Sequence, residues 1–321
     1  MDRKEKKTIQ AKLDSFHSRK LWQDKIMKRI FQGSALLAAL MIFFISYFVI
    51  SRGIQPFLSS YGDEQQSLIA FISGNRWRPD IAPPVFGVGF IIINTLLTSL
   101  GAAVLSFPIS VLTALFIAKI APPKLRAVLT TIVELLAAIP SIVYGVFAAG
   151  TITGLVKDVG DIFGINTYGG NSMFAVIILL AIMIFPTITS LSVVAISAVD
   201  RSLELGSIAL GASQMETNFK VVLTSAKSGI FAGLALGLGR AFGEATAVSM
   251  VAGNRMIGPT WNPFDITRTL TSTILSGMHE TSPGLDYDMR FSVGIILLLV
   301  ILATNFMIQV IKRKVGGVTH E

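Results

Sequence analysis

GIFAGLALGLGRAFGEATAVSMVAG, residues 229–253, is an apolar stretch with two opposite charges near its middle. As one helix it extends about 37 Å at about 1.5 Å per residue, enough to cross a bilayer, with Arg240 and Glu244 near the midplane. A charge at that depth costs roughly 2.5–3.5 kcal/mol on insertion scales, so each needs a buried partner, a water-filled cavity or a function. At about 100° per residue, Gly229, Gly233, Gly237, Arg240, Glu244 and Ala247 share one arc of about 80°. The glycines admit a neighbouring backbone, and Arg240 and Glu244, four residues apart, are placed to reach each other. An ion pair that only locks helices together is one reading of this stripe. A functional site is the other, and it is the default reading of ionisable residues inside a membrane.

Composition supports the membrane reading. With 52% hydrophobic and 14% charged residues, the chain describes an integral membrane protein rather than a soluble one with a large core. The formal charge of +8 does not point to nucleic acid, because the bases sit in short segments flanking apolar spans, where they set topology. The absence of cysteine excludes disulfides, thiolate metal sites and cysteine nucleophiles. His17, His279 and His320 fall outside the predicted spans, so no histidine metal centre is expected in the membrane.

Six spans are predicted, at about 31–51, 86–120, 125–150, 173–199, 229–253 and 291–311. Residues 1–30 are a basic tail that sets topology or, over Leu13–Phe31, lies on anionic lipid as an amphipathic helix. Residues 31–312 form the polytopic domain, with its core at 86–312 and a polar loop at 200–228, and 313–321 form a second tail. Bases on the tail side number roughly 19 against 7 on the other, which places both termini in the cytoplasm. In the second span Asn94, Thr95, Thr98, Ser99 and Ser106 are expected to face other helices rather than lipid. Pro108, Pro140 and Pro186 each kink a span, and Glu134 faces either the cytoplasmic partner or a polar helix contact. In the 254–290 loop, Leu270–Met278 is apolar enough for a short helix resting at the membrane face.

The 200–228 loop, DRSLELGSIALGASQMETNFKVVLTSAKS, reads as a helix–turn–helix whose small residues, among them Gly206, Ser207, Gly211 and Ala212, fit a partner's groove. It resembles the coupling loop of ABC importer permeases, with Gly211, Val221 and Leu223 on the pattern and Glu204 just before it. Leu205-Gly206-Ser207 stands in the Glu-Ala-Ala slot, and Thr224 replaces the usual proline. GLGRAFGEATAV, Gly237–Val248, together with ELLAAIPSIVYG, Glu134–Gly145, resembles the phosphate-specific ABC importer permeases. Gly253-Asn254 and FISGNRWRP, Phe71–Pro79, are similar to their PstC type.

That resemblance implies an all-α permease of the type I, MetI-like fold in the cell membrane of a prokaryote. It implies a heterodimer with a second permease, two cytoplasmic ATPase subunits and an extracytoplasmic phosphate-binding protein. ATP and magnesium then belong to the ATPase subunits, and this chain binds no cofactor. Arg240 and Glu244 line the substrate pathway, Gly229, Gly233 and Gly237 pack helices, and Glu204, Gly206, Ser207, Gly211 and Ala212 serve the ATPase coupling loop. The arginine suits an oxyanion, since a guanidinium stays charged and offers paired donors. Sulfate or molybdate is the alternative cargo. An enzyme reading lacks a nucleophile with a base, a metal set or paired aspartates within the spans, and a stand-alone channel leaves the coupling loop without a purpose.

Overall fold

The computed structural model describes residues 3–278 and 281–315, with side chains described from Trp22 to Lys312 apart from Ser59, Ser60, Asp63, His279 and Glu280. Its helices are α1 (Arg3–Gly53), α2 (Leu68–Ser73), α3 (Gly89–Leu115), α4 (Pro123–Ala138), α5 (Ser141–Phe147), α6 (Thr153–Phe163) and α7 (Met173–Ser197). They continue as α8 (Arg201–Ala209), α9 (Gln214–Glu216), α10 (Leu223–Gly243), α11 (Thr246–Val251), α12 (Leu270–Leu275) and α13 (Leu285–Val315). Two short antiparallel strands, β1 (Trp77–Arg78) and β2 (Val85–Phe86), pair Trp77 with Phe86. Among the described residues, six helical stretches are long and apolar enough to cross a membrane: Trp22–Phe57, Gly89–Ile120, Ser141–Phe163, Tyr168–Ser197, Gln214–Gly243 and Leu285–Lys312.

The chain divides into two compact units, Met1–Arg52 and Gly53–Glu321. In the first, α1 is unbroken, so the basic segment and the first span are one helix with no boundary at residue 30. Most of its described apolar side chains, such as Leu36, Ile42 and Phe43, are exposed within the unit, as suits a surface meant for lipid. Whether Leu13–Phe31 is amphipathic turns on side chains up to Leu21 that lie outside the described residues, as do those of the three histidines.

In the second unit α7 is the central helix, with Ala175, Val176, Leu179, Ile184 and Ile188 fully buried and α3 and α10 packed along it. Ser172 starts α7 by accepting a hydrogen bond from the Ala175 N–H at 3.1 Å, satisfying a donor that the helix leaves free. The polar residues of α3 face inward as expected: Asn94, Thr95, Thr98, Ser99 and Ser106 are all buried. Two of them tie α3 to the distant segment before α13. The Asn94 carboxamide oxygen accepts from the Thr260 N–H at 3.0 Å, and Thr95 Oγ1 accepts from the Leu270 N–H at 2.9 Å.

Three sequence expectations change. The predicted third span, 125–150, breaks at Ile139–Pro140, both of them in extended conformation. Proline lacks the N–H that would continue the helix and disfavours helical geometry in the residue before it. The crossing stretch is Ser141–Phe163, which takes in residues expected to be loop. Pro108 and Pro186, by contrast, remain inside α3 and α7. The short helix expected in the 254–290 segment is present as α12 but packs into the chain rather than lying free on its surface, with Leu270, Thr271, Ser272 and Thr273 buried. The opening stretch 229–253, finally, is not one helix.

Candidate translocation site and coupling segment

α10 stops at Gly243, and Glu244 is extended at φ −75° and ψ 112° before α11 begins at Thr246. Glycine is a poor helix former, and Gly237, Gly239 and Gly243 fall within the last turns of α10. Two of the backbone groups freed by the break find other partners. The Glu244 carboxylate accepts from the Ala247 N–H at 3.0 Å, and the Glu244 carbonyl accepts from Thr271 Oγ1 at 2.8 Å. The expected Arg240–Glu244 pair therefore does not form, since the i, i+4 relation exists only while the helix continues. Arg240 is half-buried and donates from Nη1 to Thr187 Oγ1 of α7 at 3.3 Å. No described carboxylate lies within ion-pairing distance of it.

The glycine stripe lies against α7. A β-carbon built on Gly229 falls 2.4 Å from Ala195 Cβ, one on Gly233 falls 3.2 Å from Leu191 Cβ, and one on Gly237 falls 2.7 Å from Ile188 Cγ1. The same absence of side chain brings together the two motifs singled out in the sequence. Gly145 of α5 packs on α11, where a β-carbon would sit 2.9 Å from Ala247 Cα and 2.7 Å from Met250 Sδ. Tyr144 beside it is buried and donates to the Leu136 carbonyl at 2.8 Å. Glu134 is exposed on α4, among exposed Val128, Ile132 and Leu135.

The 200–228 segment folds as a helix–turn–helix. Asp200 starts α8, its Oδ1 accepting from the Ser202 N–H at 2.8 Å, and the hydrogen bonds from Ser202 hold its carboxyl below the usual carboxylate range. Gly211 makes the turn at φ +90°, a geometry that side chains other than glycine's rarely adopt. Ser213 and Glu216 then cap the next helix reciprocally. A β-carbon on Gly211 would meet no atom of this chain, so backbone geometry rather than close packing within the chain requires glycine there. Leu203, Leu205, Ile208, Leu210, Met215 and Phe219 are exposed, Leu210 at 92%, which is an apolar surface of the kind that marks an interaction site.

Sequence reading missed two features because it counted their bases only as topology signals. Lys119, at the end of the second span, forms an ion pair with Glu204 of α8. Arg268, just before α12, is only 4% exposed and donates from Nη2 to the Asn254 carbonyl at 2.9 Å. Burial, and secondarily the positive charge of Arg290, pushes it down to about 10. Its adjacency to the apolar-threonine run Thr269–Ile274 was the available signal.

Residues 106–317 match the family described as the binding-protein-dependent transport system inner membrane component. The chain belongs to this family. It is 35% identical over 274 residues to the probable ABC transporter permease protein YqgH of Bacillus subtilis, covering 84% of this chain and 85% of that one. It is 33% identical over 265 residues to the phosphate transport system permease protein PstC of Pasteurella multocida, covering 77% and 82%. To PstC 2 of Mycobacterium tuberculosis it is 29% identical, covering 89% and 88%. A solved bacterial ABC transporter involved in the import of the acidic polysaccharide alginate superimposes with a TM-score of 0.58 at 18% identity, over 90% of this chain and 98% of the other. The inward-facing MetNI methionine ABC transporter does so at 0.53 and 19%, over 71% and 95%. These structures share the fold, a MetI-like permease. The permease is thus of the PstC type, a multi-pass plasma-membrane protein whose relatives are transporter subunits rather than enzymes.

Proposed function

We propose that the chain is one of two permeases that together form the pathway of an ATP-driven phosphate importer. Both termini lie in the cytoplasm, two ATPase subunits carrying ATP and magnesium dock on the 200–228 segment, and a phosphate-binding protein delivers cargo to the opposite face. The names of the PstC relatives support phosphate. The observation that carries the reading is Arg240, a half-buried guanidinium within a membrane span whose one described partner is a neutral hydroxyl. Its remaining N–H groups are open to an oxyanion, for which the planar guanidinium is suited. Glu244, released from Arg240 by the helix break, keeps a negative charge near the path and discourages tight retention, since transport requires release.

Radiolabelled uptake by cells carrying Arg240→Gln tests this. Phosphate uptake is expected to vanish while the complex still assembles in the membrane. Normal uptake by the variant would remove Arg240 from the pathway, and parental uptake of sulfate or molybdate in place of phosphate would change the cargo.

A further inference from the structure

α8 is fastened to the rest of the chain in an unusual way. Of its nine residues only Glu204 and Ser207 are turned partly inward, three residues apart on one face, and the other seven are exposed. It has no apolar anchor. Glu204 meets Lys119, with both side chains only 14% exposed, and Ser207 Oγ lies 2.9 Å from Thr217 Oγ1, Thr217 being fully buried.

Both contacts land on π-helical segments. Lys119 belongs to Phe116–Ile120, which continues α3 and in which the Ala121 N–H bonds the Phe116 carbonyl five residues back. Thr217 opens Thr217–Val222, which leads into α10 and in which the Leu223 N–H bonds the Asn218 carbonyl. Such segments hold an extra residue per turn, occur mostly as short insertions and recur at functional sites. Arg126 additionally holds the first one, donating from Nη2 to the Ala118 carbonyl at 2.8 Å.

We infer that Glu204–Lys119 and Ser207–Thr217 are a two-point strut that carries displacement of α8 into α3 and α10 through their π-helical ends. The four residues are positioning residues. This rests on the reading of α8 as the ATPase-docking element, and it assigns Glu204 to a contact within the chain rather than to the ATPase surface. The exposed leucines and Ile208 take the load on the outer face of α8, and the two polar contacts pass it inward. A charge pair suits that role because removing one partner leaves the other buried and uncompensated, whereas exchanging the partners preserves the link.

The test uses the assembled complex in vesicles with its binding protein. Lys119→Met is expected to lower phosphate moved per ATP hydrolysed about tenfold, a coupling change of ordinary allosteric size, while the ATPase subunits still co-purify. Lys119→Glu combined with Glu204→Lys should restore most of the loss, which a general folding defect would not allow. A second readout does not depend on cargo. The chain has no cysteine, so spin labels at Arg201→Cys, on the exposed start of α8, and Leu112→Cys, on α3, report one distance. That distance should stay narrowly distributed with and without ATP in the parent and broaden in Lys119→Met. A narrow distribution in a parent complex that moves no phosphate would sink the cargo and support the strut. Normal phosphate coupling and an unchanged distribution in Lys119→Met, or a double variant no better than the single one, would overturn the strut and leave the cargo standing.

Discussion

Four glycines of α10 offer one substitution in four graded surroundings. Replacing a helix-interior glycine by alanine gains about 0.8–1.0 kcal/mol from backbone entropy alone. At Gly239 nothing lies within 4 Å of the added methyl, so Gly239→Ala should show that gain in full. At Gly233 the methyl meets Leu191 Cβ at 3.2 Å and the Ile188 carbonyl oxygen at 3.4 Å, a crowding that small adjustments absorb, and the net effect should be near zero. At Gly237 it meets Ile188 Cγ1 at 2.7 Å and Cδ1 at 3.0 Å, a side chain that has rotamers but is fully buried. At Gly229 it meets Ala195 Cβ at 2.4 Å, which has no rotamer to change, so α10 and α7 must separate. Overpacking of this kind costs about 1–3 kcal/mol; against the propensity gain, Gly229→Ala should lose about 1–2 kcal/mol and Gly237→Ala rather less. The span from Gly239→Ala to Gly229→Ala is then about 2–3 kcal/mol, a factor of about 30 or more in the folded-to-unfolded ratio. Titration of the purified chain with sodium dodecyl sulfate in mixed micelles, followed by helicity, measures it. Equal shifts at all four positions, or stabilisation by Gly229→Ala to match Gly239→Ala, would refute the packing argument.

On α8, Gly206 has open space around it, so Gly206→Leu should leave the chain at least as stable and abolish co-purification of the ATPase subunits. Gly211→Ala, at φ +90°, should instead destabilise the turn by about 1 kcal/mol, read as faster amide exchange over residues 208–214. Thr95→Val is nearly isosteric but strips the buried Leu270 N–H of its acceptor and should cost about 1–3 kcal/mol; Thr98→Val removes a hydroxyl that only bonds carbonyls of its own helix and should cost far less in the same detergent titration. The Asp200 carboxyl is held below its ordinary value by the Ser202 N–H, so its capping contribution is full above the usual carboxylate range and is lost as pH falls through the depressed value. Exchange of α8 amides should accelerate on acidification in the parent and show no such step in Asp200→Asn.

Hydropathy and period sufficed for the helices that bury one face. Met173–Ser197 matches its predicted boundaries closely because α7 is apolar over most of its length and Ser172 caps its start. The polar stripe of α3 was legible for a related reason, since Asn94, Thr95 and Thr98 recur at helical spacing and have no place in lipid. The break at Glu244 was not legible. Periodicity carries the pattern from Gly229 to Ala247 without interruption, and a hydroxyl that satisfies the broken backbone, Thr271 Oγ1, comes from 27 residues further along the chain. From sequence Pro140 reads as a kink, and the local rule alone does not say whether a proline kinks or ends a helix. Neighbours decided it: Pro108 and Pro186 sit in long helices packed along each other, whereas α4 is mostly exposed. Lys119 and Glu204 lie 85 residues apart, and no pattern in the sequence joins them.

The break also explains how Arg240 persists without a carboxylate. With α10 ending at Gly243, Arg240 occupies its last turn, where the unpaired carbonyls present the negative end of the helix dipole. A cation placed there gains about 0.3–1 kcal/mol when exposed and up to about 2 kcal/mol when partly buried. Arg240 lies close to the Gly243 end of its crossing stretch rather than at its middle, so this offsets much of a cost already below the roughly 2.5–3.5 kcal/mol of an arginine at mid-membrane. The gain is also delivered as a field rather than as a contact, so the guanidinium's donors are not used up. An ion pair with Glu244 would have given comparable compensation but occupied the donors that an oxyanion needs. Exchanging the two residues, Arg240→Glu with Glu244→Arg, is therefore not a conservative swap: it sets a carboxylate against the negative end of α10, next to the Thr187 hydroxyl, and moves the cation out of the helix into the turn that Ala247 and Thr271 hold in place.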